Sequence, residues 1–464
     1  MSKDAAETCC PLSWQIFRST FEHYIIRHVE RQVKKLYYIL LNNIYWFGIF
    51  FMLLYIDPGT GSMLFSVLVS IFGIFVYFIR RLLLKIVFIF NHGKAEKISR
   101  SKIPFVIFCE NKRYWYVFKS ICKEFERRQI DISYWTASPD DPVLQETYKH
   151  VQTKFIGEGN KAFASLNLMN AGIVLATTPG LDVYQWKRSK NVDWYVHIFH
   201  SVSDGTGYRM FGLCGYDALL AGGPIIEHYQ HIINKKQNQP PKEVVVTGIT
   251  YMDYLKERLD NYIAPGASNK KRNKTVLLAP SWGASGILSR YGAKIISALL
   301  ATDYNIIVRP HPQSLTSERK MIERLMAQFP NSDKLKWNYD NDNFQALFDS
   351  DIMISDFSGV IYDYAFIFKK PVMYAEVNFN PAPYDAAWLD EQKWMIQKLP
   401  DLGKALKEED FLNMQAVLDD LKNDSSIDEK REEIRSLCWQ NIGGAAKKAC
   451  DYMINKYNEL SKGK

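Results

Sequence analysis

Hydrophobic positions are arranged in two different ways along this chain. Before residue 100 they run together: Ile39 to Ile56 and Ser62 to Ile79 contain no Lys, Arg, Asp or Glu. Each run is about long enough to cross a bilayer with its flanks, and the Asp57-Pro58-Gly59-Thr60-Gly61 that joins them is made of turn residues. The pattern predicts a helical membrane hairpin, with a buried hairpin in a soluble domain as the competing reading. Arg27, Arg31, Lys34 and Lys35 precede the pair and Arg80, Arg81 and Lys85 follow it, which places both ends on the cytoplasmic side. From Leu82 to Phe90, an apolar run that carries Lys85 and follows Arg80 and Arg81 is suited to lie along the membrane surface with its basic groups on phospholipid headgroups. The expected layout is a cytoplasmic segment over 1–38 and a hairpin with its interfacial segment over 39–90. It anchors the rest at the cytoplasmic membrane, facing the cytoplasm.

After about Lys102, short apolar runs alternate with longer helical patterns, as in βαβ units. Ile103 to Phe108, Ile132 to Trp135, Ala171 to Leu175, Tyr195 to Phe199 and Val244 to Val246 read as strands, and Tyr116 to Arg128 and Pro224 to Lys235 as helices. The polar stretch 267–274, Ala267 to Lys274, reads as a linker. A second series follows in Val276 to Ala279, Asn305 to Val308, Ile352 to Ile354 and Val372 to Tyr374. The expected fold is α/β, with two doubly wound parallel-sheet domains over 101–266 and 275–464 facing each other across a cleft. Ile434 to Tyr457 reads as a helical stretch packing back across them.

Composition narrows the function classes. A chain of 464 residues with 47% hydrophobic and 23% charged residues folds into two or three domains. The seven cysteines are scattered without a CxxC pair, which excludes a zinc ribbon or a disulfide framework and points to a reducing compartment. The net charge of +8 gathers around the apolar N-terminal runs instead of forming a stripe that reads DNA or RNA, so no nucleic-acid partner is expected.

In open parallel sheets ligands gather at the carboxyl ends of strands. Asp351-Ile352-Met353-Ile354 runs into Ser355-Asp356-Phe357-Ser358-Gly359, where a helix begins. Free N–H groups, the helix dipole and two hydroxyls make this a phosphate cradle, although Asp and Ser are also the commonest helix caps. Arg309-Pro310-His311-Pro312 follows a strand, its prolines stiffening an Arg/His pair suited to a pyrophosphate. Pro280-Ser281-Trp282-Gly283 and Glu376 end two more strands, the first able to approach phosphate and the second ribose hydroxyls. In the first domain, alternation points His197 into the core and leaves His200 at the strand end as the working imidazole. The loop Ser203-Asp204-Gly205-Thr206-Gly207 is placed to wrap an acceptor or a diphosphate. With no HxxxH pair and no Cys/His cluster, neither a metal nor another cofactor is expected.

His200, the Arg-Pro-His-Pro turn and Ser-Asp-Phe-Ser-Gly-Val-Ile-Tyr-Asp-Tyr, in that order, resemble the CDP-glycerol glycerophosphotransferase family of teichoic-acid primases and polymerases. The resemblance spans roughly Asp193 to Glu376. It implies two facing Rossmann-like domains of the GT-B type, an acceptor domain followed by a CDP-donor domain. By resemblance His200 is the general base, and Arg309 and His311 contact the donor diphosphate, with His311 catalytic. Ser355, Asp356, Ser358 and Gly359 cradle phosphate, and Ser281 and Trp282 match a Pro-Thr-Trp segment. Two departures mark a divergent branch. The family's His-Gly-Thr is replaced by His200-Ser201-Val202, and Gly283 stands where the family has Arg.

The expected function is transfer of a polyol phosphate, glycerol phosphate by resemblance, from a CDP-activated donor to a hydroxyl of a lipid-linked glycan. A GT-B glycosyltransferase using a nucleotide sugar and a membrane scaffold of reduced activity are the alternatives. Nothing in the sequence fixes the acceptor, the polyol or the oligomeric state.

Overall fold

The computed structural model describes residues 72, 75, 79, 102–262, 274–340, 342–376, 379–422 and 427–463. The chain divides into two compact units, Met1–Ser99 and Arg100–Lys464. In the first, Phe72, Phe75 and Ile79 are helical and exposed. The remainder of the expected hairpin lies outside the described residues, as does the linker apart from Lys274. Among the described residues no helix is long and apolar enough to cross a membrane.

The second unit contains two parallel sheets. The first is built from β1 (Ile103–Cys109), β2 (Ile132–Thr136), β3 (Val151–Phe155), β4 (Asn170–Ala176), β5 (Asn191–Ile198), β6 (Ala218–Ala221) and β7 (Glu243–Val246). The second is built from β8 (Thr275–Leu278), β9 (Asn305–Val308), β10 (Leu335–Trp337), β11 (Ile352–Ser355), β12 (Val372–Ala375) and β13 (Lys404–Leu406). Strand orders are β3-β2-β1-β4-β5-β6-β7 and β10-β9-β8-β11-β12-β13. Both reverse direction beside their first strand, between β1 and β4 and between β8 and β11, and such switch points open the crevice where α/β sheets bind ligands. The central strands are apolar throughout, as burial on both faces requires: Val106 to Cys109 and Val276 to Leu278 are wholly buried.

The strands that pattern alone missed are β3, β6, β10 and β13. β3, β10 and β13 are edge strands, and β6 has only the four residues Ala218–Ala221, so none carries a long apolar run. Helices α1 (Trp115–Arg128), α2 (Asn160–Asn167), α3 (Pro224–Lys236) and α4 (Thr250–Asn261) serve the first sheet. The second has α5 (Gly292–Leu300), α6 (Arg319–Gln328) and α7 (Met414–Lys422), after which come α8 (Asp428–Cys438) and α9 (Ala445–Lys462).

The stretch read as one helix from Ile434 to Tyr457 is thus two. Asn441 and Gly443 break it at positive φ, 53° and 74°. The break turns α9 onto α1 of the first half, where Cys450 and Met453 join the core of Phe105, Phe118 and Phe125. At Gly172 of β4 a Cβ would lie 2.5 Å from the Tyr457 ring, so only glycine admits the helix so close.

Two sets of contacts fix the halves to each other. One core contains Val202, Tyr229 and Met252 of the first half and Ile361, Tyr364 and Trp394 of the second. Beside it, Arg258 of α4 pairs with Asp342 at 2.6 Å and the Tyr251 hydroxyl meets Asn343 Oδ1 at 3.2 Å.

Candidate functional site

The second half's share of the site begins where β11 ends. The Ser355 hydroxyl donates to the Ala279 carbonyl at 2.6 Å and is wholly buried. Asp356 is also buried, and its carboxylate accepts from the backbone N–H groups of Ser281 (2.9 Å), Ile287 (3.0 Å) and Phe357 (2.7 Å). Burial pushes its pKa above the ordinary carboxylate value, while these N–H groups favour the charge. Both residues were expected on the donor phosphate. Their polar atoms instead hold the loop after β8 against the loop after β11, which corrects that role to positioning. Ser281 is buried by the same clamp.

Ser358 and Gly359 are the members of the motif left facing outward. They start the short helix Val360–Asp363, which continues as a π-helical turn over Tyr364–Phe368. Their carbonyls accept from Ile361 and Tyr362, and among the described residues their own N–H groups have no acceptor. A Cβ built on Gly359 would sit 3.6 Å from the Ser201 hydroxyl, so this helix start lies directly across from the residue that follows His200.

His200 lies two residues beyond β5 of the first half, with Nδ1 3.1 Å from Thr177 Oγ1 just after β4 and the Tyr114 ring 5.0 Å from its own. Burial, and then the charge of Arg113, push its pKa down to about 4. His197 is buried with Nε2 3.0 Å from the Tyr208 hydroxyl, the core histidine that alternation predicts. In the second half, His311 Nδ1 accepts the Gln313 backbone N–H at 3.1 Å. A backbone N–H only donates, so the neutral His311 ring carries its proton on Nε2. Burial, and then Arg113 again, push His311 down to about 4, with Glu318 opposing.

The charge of Arg113 thus acts on both imidazoles, one from each half. Sequence reading passed over it. The signal was present, because Arg113 and Tyr114 follow β1 at the switch point of the first sheet. Arg309, expected on the diphosphate, is turned elsewhere: its guanidinium donates to Asn338 Oδ1 and to the Asp340 carbonyl. Two of its five N–H donors are engaged there. Trp282 and Glu376 are exposed, and the Glu376 carbonyl accepts from Arg290. Gly283, at φ 94°, gives its N–H to Glu318 at 2.9 Å.

The loop from Ser203 to Gly207 holds the two halves together. Asp204 accepts from the Met395 N–H at 3.1 Å, Thr206 O from Ala386 N–H at 3.0 Å, and Tyr208 O from Asp385 N–H at 2.9 Å. Asp204 and Thr206 are wholly buried, so of this loop only Ser203 and Gly207 reach the surface where a diphosphate or an acceptor could meet it. Among the described residues no three His, Cys, Asp or Glu side chains converge as metal ligands do.

The family model described as CDP-Glycerol:Poly(glycerophosphate) glycerophosphotransferase matches residues 225–441. Over that stretch, a little under half of its length, the chain is similar to these glycerophosphotransferases. The match takes in His311 and the segment from Ser355 to Gly359, and begins after His200. The minor teichoic acid biosynthesis protein GgaB of Bacillus subtilis (strain 168) is 24% identical over 229 residues, which are 44% of this chain and 22% of that protein. The chain thus spans about a fifth of the length of this curated relative. A putative UDP-N-acetylglucosamine 2-epimerase from Listeria monocytogenes superposes with a TM-score of 0.52 at 15% identity, over 77% of this chain and 98% of that one. The wall teichoic acid polymerase TagF gives 0.48 at 14% identity, over 77% and 89%. The likeness to the epimerase is one of fold: two parallel-sheet α/β domains.

Proposed function

We propose that this glycerophosphotransferase relative moves a polyol phosphate, glycerol phosphate by its family, from a CDP-activated donor to a hydroxyl of a lipid-linked glycan. The observation that supports the reading is the approach of Gly359 of the second half to Ser201, the neighbour of His200, together with the charge of Arg113 acting on both His200 and His311. The apolar runs before residue 80 support an acceptor presented at a membrane.

The acceptor hydroxyl gives its proton to His200 Nε2, and its oxygen bonds to the phosphorus that bears the polyol. The bond from that phosphorus to the oxygen of CMP breaks, and CMP leaves with the electron pair. For His200 to accept at Nε2, its Nδ1–H donates to Thr177 Oγ1, a neutral partner that keeps the base weak. His311 Nε2–H, Arg113 and the N–H groups of Ser358 and Gly359 offset the charge that builds on the diphosphate. These donors are fixed before substrate arrives, so little reorganisation is spent on them at the moment of transfer.

Incubation with CDP-glycerol and a lipid-linked glycan, with CMP release measured, tests this. Release no greater than that of His311→Ala would sink it. Thermal-shift titration discriminates the nucleotide-sugar reading, since CDP-glycerol stabilises the protein in the first case and UDP- or GDP-sugars in the second.

A further inference from the structure

At the carboxyl edge of the first sheet, a cavity of about 440 Å³ opens between the ends of β1 and β2 and the start of α2. Its volume falls within the roughly 300–1,000 Å³ of small-molecule sites. Phe108 and Ala162 form a buried floor, and Tyr114 and Phe163 supply aromatic walls. Tyr114 is the same ring that stands 5.0 Å from His200, so the cavity and the proposed base share a wall. Gly159, at the mouth, has φ 53° and open space where a Cβ would be.

The charges here are uncommitted. Among the described residues Glu110, Glu158 and Arg113 have no ion-pair partner. Asn111 Oδ1 accepts from Arg113 N at 3.1 Å and Nε at 3.2 Å, which fixes the guanidinium and leaves its Nη groups to face outward. Two carboxylates against one guanidinium leave the lining net negative. Paired hydroxyls satisfy such carboxylates by donation, and the C–H face of a sugar ring packs on Tyr114 and Phe163. A phosphate monoester brought to Glu110 and Glu158 meets like charge instead.

Resting on the transferase reading above, we propose that this cavity is the acceptor subsite and takes an uncharged, hydroxylated glycan terminus. One hydroxyl reaches past Tyr114 to His200, and Arg113 faces the phosphoryl group in transit. The subsite selects a neutral sugar over a terminus that already carries phosphate.

The test is isothermal titration of the full chain with the methyl glycosides of glucose, galactose and N-acetylgalactosamine, and with glycerol 3-phosphate. At least one glycoside is expected to bind saturably and more tightly than glycerol 3-phosphate. Its affinity should fall about tenfold or more in Glu158→Gln/Phe163→Ala, and also in Glu110→Gln, a single change at an exposed position that spares the fold. Failure of every glycoside to bind, tighter binding of glycerol 3-phosphate, or equal affinity in both variants would overturn the subsite. Glycoside binding without CMP release by the same protein would count against the transferase reading alone. CMP release whose acceptor KM is unaltered in both variants would count against the subsite alone.

Discussion

Replacing Asp356 by Asn separates positioning from ligand contact at the motif that first marks this chain. The carboxylate accepts three backbone N–H groups, with Oδ1 serving Ser281 and Phe357, and Oδ2 serving Ser281 and Ile287. An amide of the same shape keeps one oxygen and puts an NH₂ where Oδ2 stood, facing the Ile287 N–H. A buried N–H left without an acceptor costs roughly 1–3 kcal/mol, and hydrogen bonds to a charged group contribute about 1.5–3 kcal/mol each. The amide also escapes the desolvation that raises the Asp356 pKa, so the net loss at pH 7 is expected at the lower end, about 2 kcal/mol. Urea unfolding monitored by tryptophan fluorescence measures that loss, and titration with CDP-glycerol measures donor affinity on the same samples. A clamp lowers stability by this amount and weakens the donor only through the displaced Ser281–Ile287 loop. Unchanged unfolding combined with a large loss of donor affinity would refute the reasoning and return Asp356 to the phosphate.

Three other outcomes follow from the geometry. His200 and His311 are both held near 4, below an ordinary histidine, so both stay neutral above about pH 5 and protonate as pH falls through 4. The acid limb of kcat/KM is therefore expected between about 4 and 5, and a limb near 6.5 would exclude these imidazoles from the roles given to them. Asp363 is buried with Oδ1 unpartnered, and burial pushes its pKa up to about 7. Its folded state holds the proton more tightly than the unfolded chain, so stability is lost as pH rises from about 4 to 7. Asp363→Asn is then expected to stabilise the protein at pH 8 by up to about 4 kcal/mol and to do little at pH 4, as denaturation at the two pH values would show. Gly359→Leu projects into Ser201 across the cleft and should abolish transfer, whereas Gly359→Ala, whose methyl meets Ser201 at ordinary contact distance, should retain most of it in a CMP-release assay.

The central strands were legible because burial on both faces demands unbroken apolar runs, as in Phe105 to Cys109 and Ile352 to Ile354. The strand ends were legible as well, since polar and small residues collect where the sheet gives way to loops. His200 at one such end and His311 at another were readable from position. The edge strand Leu335–Trp337 was not, because three residues at the border of a sheet carry almost no periodicity.

By itself, then, the sequence determined the two α/β halves, the order of the motifs and the set of strand ends from which a site can be built. Only the tertiary structure decided which polar atoms remain free there. Ser355 and Asp356 were drawn inward because buried groups after β8, the Ala279 carbonyl and the Ser281 and Ile287 N–H groups, needed partners. Arg309 turned to Asn338 and Asp340, and Arg113 supplied the charge near both histidines. The physical reason is that hydrogen-bond satisfaction of buried groups is settled between residues far apart in the chain. A local pattern states which groups a residue carries, and the packed fold assigns their partners.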